Sequence, residues 1–98
     1  MTPEGKVKAA IKKELVLRGI YFFMPRGTAF GRAGVPDIII CHAGKFIGME
    51  VKAGRGKPTA LQLREHERIR AAGGIAVVVN ESDWFPTLNE LMQDLCSS

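Results

Sequence analysis

The sequence is poor in several things, and each shortage narrows what the chain can be. It holds two cysteines, Cys41 and Cys96, in 98 residues. They show no C-x-x-C spacing and no regularly spaced histidine beside them, which argues against a zinc framework. Nothing marks the chain as secreted, so a Cys41–Cys96 disulfide is not expected. Cys41 lies in an apolar run and reads as a small core residue. There are two histidines, and neither forms part of a Ser-His-Asp or Cys-His arrangement that would suggest another kind of hydrolase. No stretch approaches the ~20 apolar residues of a membrane span. The lysine-rich N-terminus has no apolar h-region, so no signal peptide is expected and the cytoplasm is the default location. Repeats, low-complexity segments and linkers are absent, which leaves a single domain over residues 1–98.

What is present fits a soluble globular chain: 46% hydrophobic and 24% charged residues. A domain of this size has a thin core, and a homodimer would extend it. Lys+Arg total 14 against 10 Asp+Glu, a net charge of +4. That modest excess suits an acidic partner such as nucleic acid without requiring one.

Thr2-Pro3-Glu4 is a helix start, with Thr as N-cap, Pro in the first turn and an acid on the positive end of the helix dipole. Val7, Ala10, Ile11 and Leu15 follow at helical spacing, with Lys6, Lys12 and Lys13 opposite. The helix ends at Arg18-Gly19. Ile20–Met24 is a short aromatic strand. Pro25–Gly34 is a loop with three glycines, Arg26 and Arg32, too polar to pack and expected to be mobile. Asp37–Cys41 and Phe46–Lys52 are strands joined by a tight turn at Ala43-Gly44-Lys45. A basic loop, Ala53–Pro58, precedes a helix over 59–72 that Thr59 and Gln62 open with capping-box spacing. Ile75–Val79 is a continuous apolar run, expected to be buried on both faces and parallel to its neighbour. Thr87 and Glu90 repeat the capping-box spacing before Leu88, Leu91, Met92 and Leu95, the stripe of a last helix. Trp84 reads as core, and Phe85 as core or interface. The order predicts an α/β domain with a mixed sheet flanked by helices.

The hairpin carries charge where a buried strand should have none. Glu50 and Lys52 are two apart and share a face, while Ile47, Met49 and Val51 take the other. The turn brings Asp37, at the start of one strand, beside the end of the next. Two carboxylates that close repel, and one takes up a proton unless a cation stands near. Lys52 offsets this in part. A divalent Mg²⁺ or Mn²⁺ offsets it better, since both prefer oxygen ligands and supply what phosphodiester hydrolysis needs. Two readings are open at this point: a structural ion cluster at a strand end, or a metal site. The E-x-K tripeptide alone decides nothing, because it recurs at Glu4-Gly5-Lys6.

Pro36-Asp37 followed by Glu50-Val51-Lys52 at the end of the next strand resembles the P-D…(D/E)-x-K pattern of the PD-(D/E)XK nuclease superfamily, whose restriction-endonuclease-like core is αβββαβ. Gly34-Val35-Pro36-Asp37-Ile38, Glu50-Val51-Lys52-Ala53 and a glutamine early in the following helix resemble the VRR-NUC family, the virus-type replication-repair nucleases. The likeness runs from about Thr2 to Val79. It implies that Asp37 and Glu50 bind the metal with the Val51 carbonyl, and that Lys52 acts on the attacking water. Glu4 matches the first-helix acid that related nucleases bring towards the metal; Glu14 competes for that role, and Glu4 also suits the helix dipole. Gln62 matches the family glutamine beside the site, or else only completes its capping box. His66, one turn beyond Gln62, stands within reach of the site but reads first as a surface or boundary residue.

Arg26 and Arg32 before Asp37, and Arg55 and Lys57 after Lys52, flank the site where a phosphate backbone would run. Such contacts position DNA without reading sequence, and no element resembles a base-reading helix. Stand-alone domains of this kind resemble Holliday junction resolvases, symmetric dimers that cut two strands. The resemblance implies a metal-dependent, structure-selective endonuclease of a prokaryotic or phage-infected cell, acting on four-way junctions, with no small-molecule cofactor. The same chemistry on flap or plain duplex DNA, and a catalytically silent DNA-binding module, are the alternatives.

Overall fold

The computed structural model describes residues 1–26 and 32–96, Cys96 by its backbone alone. Half of the Pro25–Gly34 loop, residues 27–31, lies outside the described residues together with its expected mobility, as does the Cys96 side chain. The loop's described end packs against the helix Ala60–Ala71 through Arg32 and Gly34, contrary to the expectation that the loop is too polar to pack. The described elements are α1 (Pro3–Leu17), β1 (Tyr21–Phe23), β2 (Ile38–His42), β3 (Lys45–Val51), α2 (Ala60–Ala71), β4 (Ile75–Val79) and α3 (Trp84–Cys96). This is the expected α/β class: an αβββαβ order with a further helix behind it. The strands form one mixed sheet in the order β1-β2-β3-β4. β1–β2 and β2–β3 are antiparallel and β3–β4 is parallel.

Local chemistry sets the boundaries. The Thr2 hydroxyl accepts from the Gly5 amide at 3.0 Å and opens α1. The turn between β2 and β3 pairs His42 with Lys45, so it consists of Ala43 and Gly44. Their φ values of 52° and 76° are those of a type I′ turn, whose twist matches the flanking strands. α3 begins at Trp84, three residues before the expected Thr87 cap. The cause is a tight turn upstream: the Asn80 amide donates to Asp83 Oδ1, the Asp83 amide donates to Asn80 Oδ1, and the Thr87 amide donates to the Asp83 carbonyl. Pro86 sits in the first turn, where an amide would lack a helical partner in any case.

The main core lies on one face of the sheet. Ile38, Ile40, Ile47, Met49, Val51 and Val79 meet Val7, Ile11 and Leu15 of α1 and Leu88 and Met92 of α3. Trp84 packs against this cluster, while Phe85 is exposed and meets Trp84 edge-on. The opposite face carries Ile39, Cys41, Phe46, Gly48, Glu50, Ala76 and Val78, covered in part by α2. Two expectations fail on this second face. Cys41 is exposed and its thiol free, because it pairs across the ladder with Tyr21 and Phe46 at the end of the sheet that α2 leaves bare. β4 is an edge strand rather than one buried on both faces, with Val78 exposed.

Gly48 sets how closely α2 approaches. A Cβ there would lie 2.8 Å from Pro36 Cγ and 2.9 Å from Ile69 Cδ1. Pro36 leads into β2 and Ile69 belongs to α2, so this bare spot on β3 lets both close over the sheet. Gly48→Ala is expected to destabilise the fold by about 1–3 kcal/mol through overpacking, measured by urea unfolding. An unchanged midpoint would show that the packing gives way freely.

Candidate active site

Asp37 precedes β2 and Glu50 ends β3, and the antiparallel register carries one to the other. Asp37 Oδ2 accepts the Val51 amide at 2.8 Å. Asp37 Oδ1 pairs with Lys8 Nζ of α1 at 3.2 Å. The Glu50 side chain, 1% exposed, turns to the α2 face. Gln62 Nε2 donates to Glu50 Oε2 at 3.1 Å. Glu50 Oε1 has no hydrogen-bond partner among the described residues. Its nearest ring nitrogen is His66 Nε2, at 3.6 Å.

Gln62 performs both of the roles weighed for it. Its amide oxygen accepts the Thr59 amide at 2.8 Å, completing the capping box, while its amide nitrogen reaches Glu50. Gly34 makes the placement possible. Its φ is +81°, and a Cβ would stand 2.6 Å from the Leu61 carbonyl oxygen. The segment leading to Asp37 therefore lies against the first turn of α2, where any other side chain would collide with backbone.

The electrostatics follow from this crowding. Burial first, then the neighbouring Asp37 carboxylate, push the Glu50 carboxyl up from 4.5 to about 8. Lys52 and Lys8 act in the opposite direction. A buried carboxylate with an orphaned oxygen beside a second carboxylate is short of positive charge, and the donor chemistry suits a hard divalent cation. No group of three or more His, Cys, Asp or Glu side chains that could hold a metal ion forms among the described residues. The available oxygen set is Asp37, Glu50 and backbone. In a strand ladder a residue's N–H and C=O address the same neighbour, so the Val51 carbonyl lies on the edge where its amide meets Asp37.

The other expected residues are placed as follows. Glu4 is half-buried in the first turn of α1, one turn before Lys8 and at the same end as Asp37, with no ion pair among the described residues. Glu14 stands at the far end of that helix, bound by Arg18 Nε at 2.7 Å, and Arg18 also bonds Asn89 of α3. Arg26, Arg55 and Lys57 are exposed. Arg32 makes a bidentate pair with Glu65, at 3.0 and 2.9 Å, which holds the Glu65 carboxyl below its ordinary value. The loop after Lys52 is pinned by Glu81, whose two carboxylate oxygens accept the Gly54 amide.

One neighbour of the site, Lys8, has no reading from the sequence, and a second, His66, approaches the site as its spacing allows but is more deeply buried than expected. Lys8 borders the α1 stripe of Val7, Ile11 and Leu15, and its spacing of four from Glu4 was the available signal. His66 is buried rather than at a boundary. The signal there is an inverted helix: Gln62, Glu65, His66 and Ile69 form the i, i+3, i+4, i+7 face of α2 turned to the sheet, while Leu61 and Leu63 are 49% and 48% exposed.

The class defined by this fold and site is a small α/β protein with paired carboxylates and a lysine at the end of a mixed sheet. No family model matches the chain. Over 77 residues it is 46% identical to a protein of Acyrthosiphon pisum secondary endosymbiont phage 1 named "Putative nuclease p44", a match that covers 76% of this chain and 83% of that protein. The chain belongs to the family of that phage protein.

The raised Glu50 carboxyl makes stability depend on pH. Between about 4.5 and about 8 the folded state keeps a proton that the unfolded chain has released, so stability falls as pH rises through that window. In EDTA, Glu50→Gln has no such proton to lose. Its Tm is expected to gain steadily on the wild type from pH 5 to pH 8. Parallel Tm profiles for the two proteins would show that Glu50 does not titrate there.

Proposed function

We propose that this chain is a Mg²⁺- or Mn²⁺-dependent DNA endonuclease of the PD-(D/E)XK type, similar to the VRR-NUC nucleases. The observation that carries the reading is the convergence of Asp37 and Glu50 at one sheet end, with Lys52 beside them and Glu50 Oε1 unpaired. The name of the phage relative points to the same chemistry. Asp37, Glu50 and the Val51 carbonyl would hold the cation. When bound, it supplies Lewis acidity and positive charge at the phosphate.

The chain's own groups do the rest. The Lys52 ammonium orients the attacking water and neutralises charge that builds on the phosphoryl oxygens. The water oxygen forms a bond to phosphorus and gives up a proton to solvent, one bridging P–O bond breaks, and the departing sugar oxygen takes up a proton from solvent. Gln62 keeps Glu50 turned to the site. Lys8 partly balances Asp37 before substrate arrives. Glu4, on the first turn of α1, lies at the end of the helix from which a further acid would approach. Arg26, Arg55 and Lys57, with the half-exposed Arg32, would contact backbone phosphates and so fix the strand without reading bases.

The substrate class we infer is branched DNA, a four-way junction above all, cut by a homodimer that presents two sites. The exposed Arg26, Arg55 and Lys57 around the site suit contact with backbone phosphates, which supports selection by DNA shape. No described helix is long and apolar enough to cross a membrane.

The test is cleavage of a labelled four-way junction beside a matched linear duplex in Mg²⁺, Mn²⁺ or EDTA. Symmetric junction cuts are expected with either metal and none in EDTA. Asp37→Ala and Lys52→Ala are each expected to lower the rate at least 100-fold, the scale of losing one electrostatic group at the reacting phosphate. Metal-dependent cutting that survives both substitutions would refute the site. Cuts in flap or linear DNA alone would keep the chemistry and replace the substrate. Tight junction binding without any cutting would make the protein a binding module.

A further inference from the structure

α2 buries a histidine that its own packing does not explain. His66 is 1% exposed, and neither Nδ1 nor Nε2 has a hydrogen-bond partner among the described residues. An unpaired buried polar group is costly, on the order of 1–3 kcal/mol. Leucine would fill similar space at no such cost. Facing Nε2 across 3.6 Å is Glu50 Oε1, which is equally buried and equally unpaired. At that separation the two do not form a hydrogen bond. A shift of about half an ångström or slightly more in either side chain would bring them into bonding range.

We propose that His66 is a positioning residue, its Nε2–H serving with Gln62 Nε2–H as a two-point clamp that orients the Glu50 carboxylate for the cation. Gln62 and His66 are four apart, so successive turns of α2 present both donors on one face. Gln62 holds Oε2 at 3.1 Å and His66 addresses Oε1. The carboxylate is thereby gripped from the helix side, and its remaining lone pairs are left towards Asp37. Partners of this kind orient metal-binding carboxylates and tune their affinity. The role proposed for His66 is to orient a ligand, Glu50, rather than to bind the cation itself. A neutral imidazole suffices, and burial, followed by the charge of Arg70, favours that form. The inference rests on the nuclease reading of the same carboxylates.

Three variants separate positioning from packing: His66→Leu, which removes the donor, His66→Gln, which keeps one, and His66→Met, which removes it in a side chain that repacks easily. Two quantities are read: Tm in EDTA, and Mn²⁺ affinity from the loss of free-Mn²⁺ EPR signal. His66→Leu is expected to melt at or above the wild-type temperature while binding Mn²⁺ 10- to 100-fold more weakly. His66→Gln is expected to recover most of that affinity. If the leucine variant does not fold, His66→Met decides, with the same expected loss.

Wild-type Mn²⁺ affinity in a folded His66→Leu or His66→Met protein would overturn the proposal. So would a fall in Tm that tracks the loss of affinity and is not restored by glutamine. A wild-type protein that binds no Mn²⁺ would instead bring down the nuclease reading, and the clamp with it.

Discussion

Val51 donates its backbone amide to Asp37 Oδ2 at 2.8 Å, and this one bond ties the start of β2 to the end of β3. The ladder between the strands has run out at that point, since the last β2–β3 pair is Ile38 with Met49. A side-chain carboxylate therefore takes the place of a ladder carbonyl. Everything charged at this end of the sheet is arranged around that substitution. Glu50, the neighbour of Val51, is turned by strand alternation to the α2 face. It is buried there under a helix that approaches closely because Gly48 and Gly34 carry no side chain. Lys8 answers Asp37 from α1, and Gln62 answers Glu50 from α2. Three elements distant in sequence thus meet at two carboxylates.

Helix α2 shows what this arrangement costs. An ordinary helix lays its apolar stripe on the sheet. This one lays down Gln62, Glu65, His66 and Ile69 and leaves Leu61 and Leu63 half in water. Glu65 is made tolerable by the bidentate Arg32 and by Arg68. Glu50 Oε1 and His66 are not compensated in that way. Local violations of packing rules tend to concentrate where a protein acts rather than where it is merely held together. Among the described residues, the main core on the other face is built from isoleucine, valine, leucine and methionine, and the unpaired buried side-chain atoms all lie on Glu50 and His66.

The element order and the antiparallel hairpin were legible because they rest on local signals. Thr2 and Thr59 cap their helices, the Ala43-Gly44 turn sets the β2–β3 register, and the apolar run 75–79 matches β4 residue for residue. The meeting of Asp37 with the end of β3 follows from that register and the period of two along a strand. What was not legible depends on partners far along the chain. Cys41 sits in an apolar run yet is exposed, because among the described residues α2 leaves its end of the outer face bare. The start of α3 was set by reciprocal bonds between Asn80 and Asp83, which outrank the later Thr87 spacing. His66 was misplaced because helical periodicity assigns burial to apolar residues, and α2 inverts that pattern. Periodicity does not mark Lys8, because a lysine beside an apolar stripe ordinarily points to water.

Asp37 and Glu50 are two carboxylates short of a positive charge. The most direct measurement is a ¹³C NMR titration of the Glu50 carboxyl, with and without Mg²⁺. Without the cation the carboxyl should titrate near 8, and Mg²⁺ should shift its midpoint down. A carboxyl that titrates in the ordinary glutamate range and ignores Mg²⁺ would contradict the account and leave Asp37, Glu50 and Lys52 as a structural ion cluster.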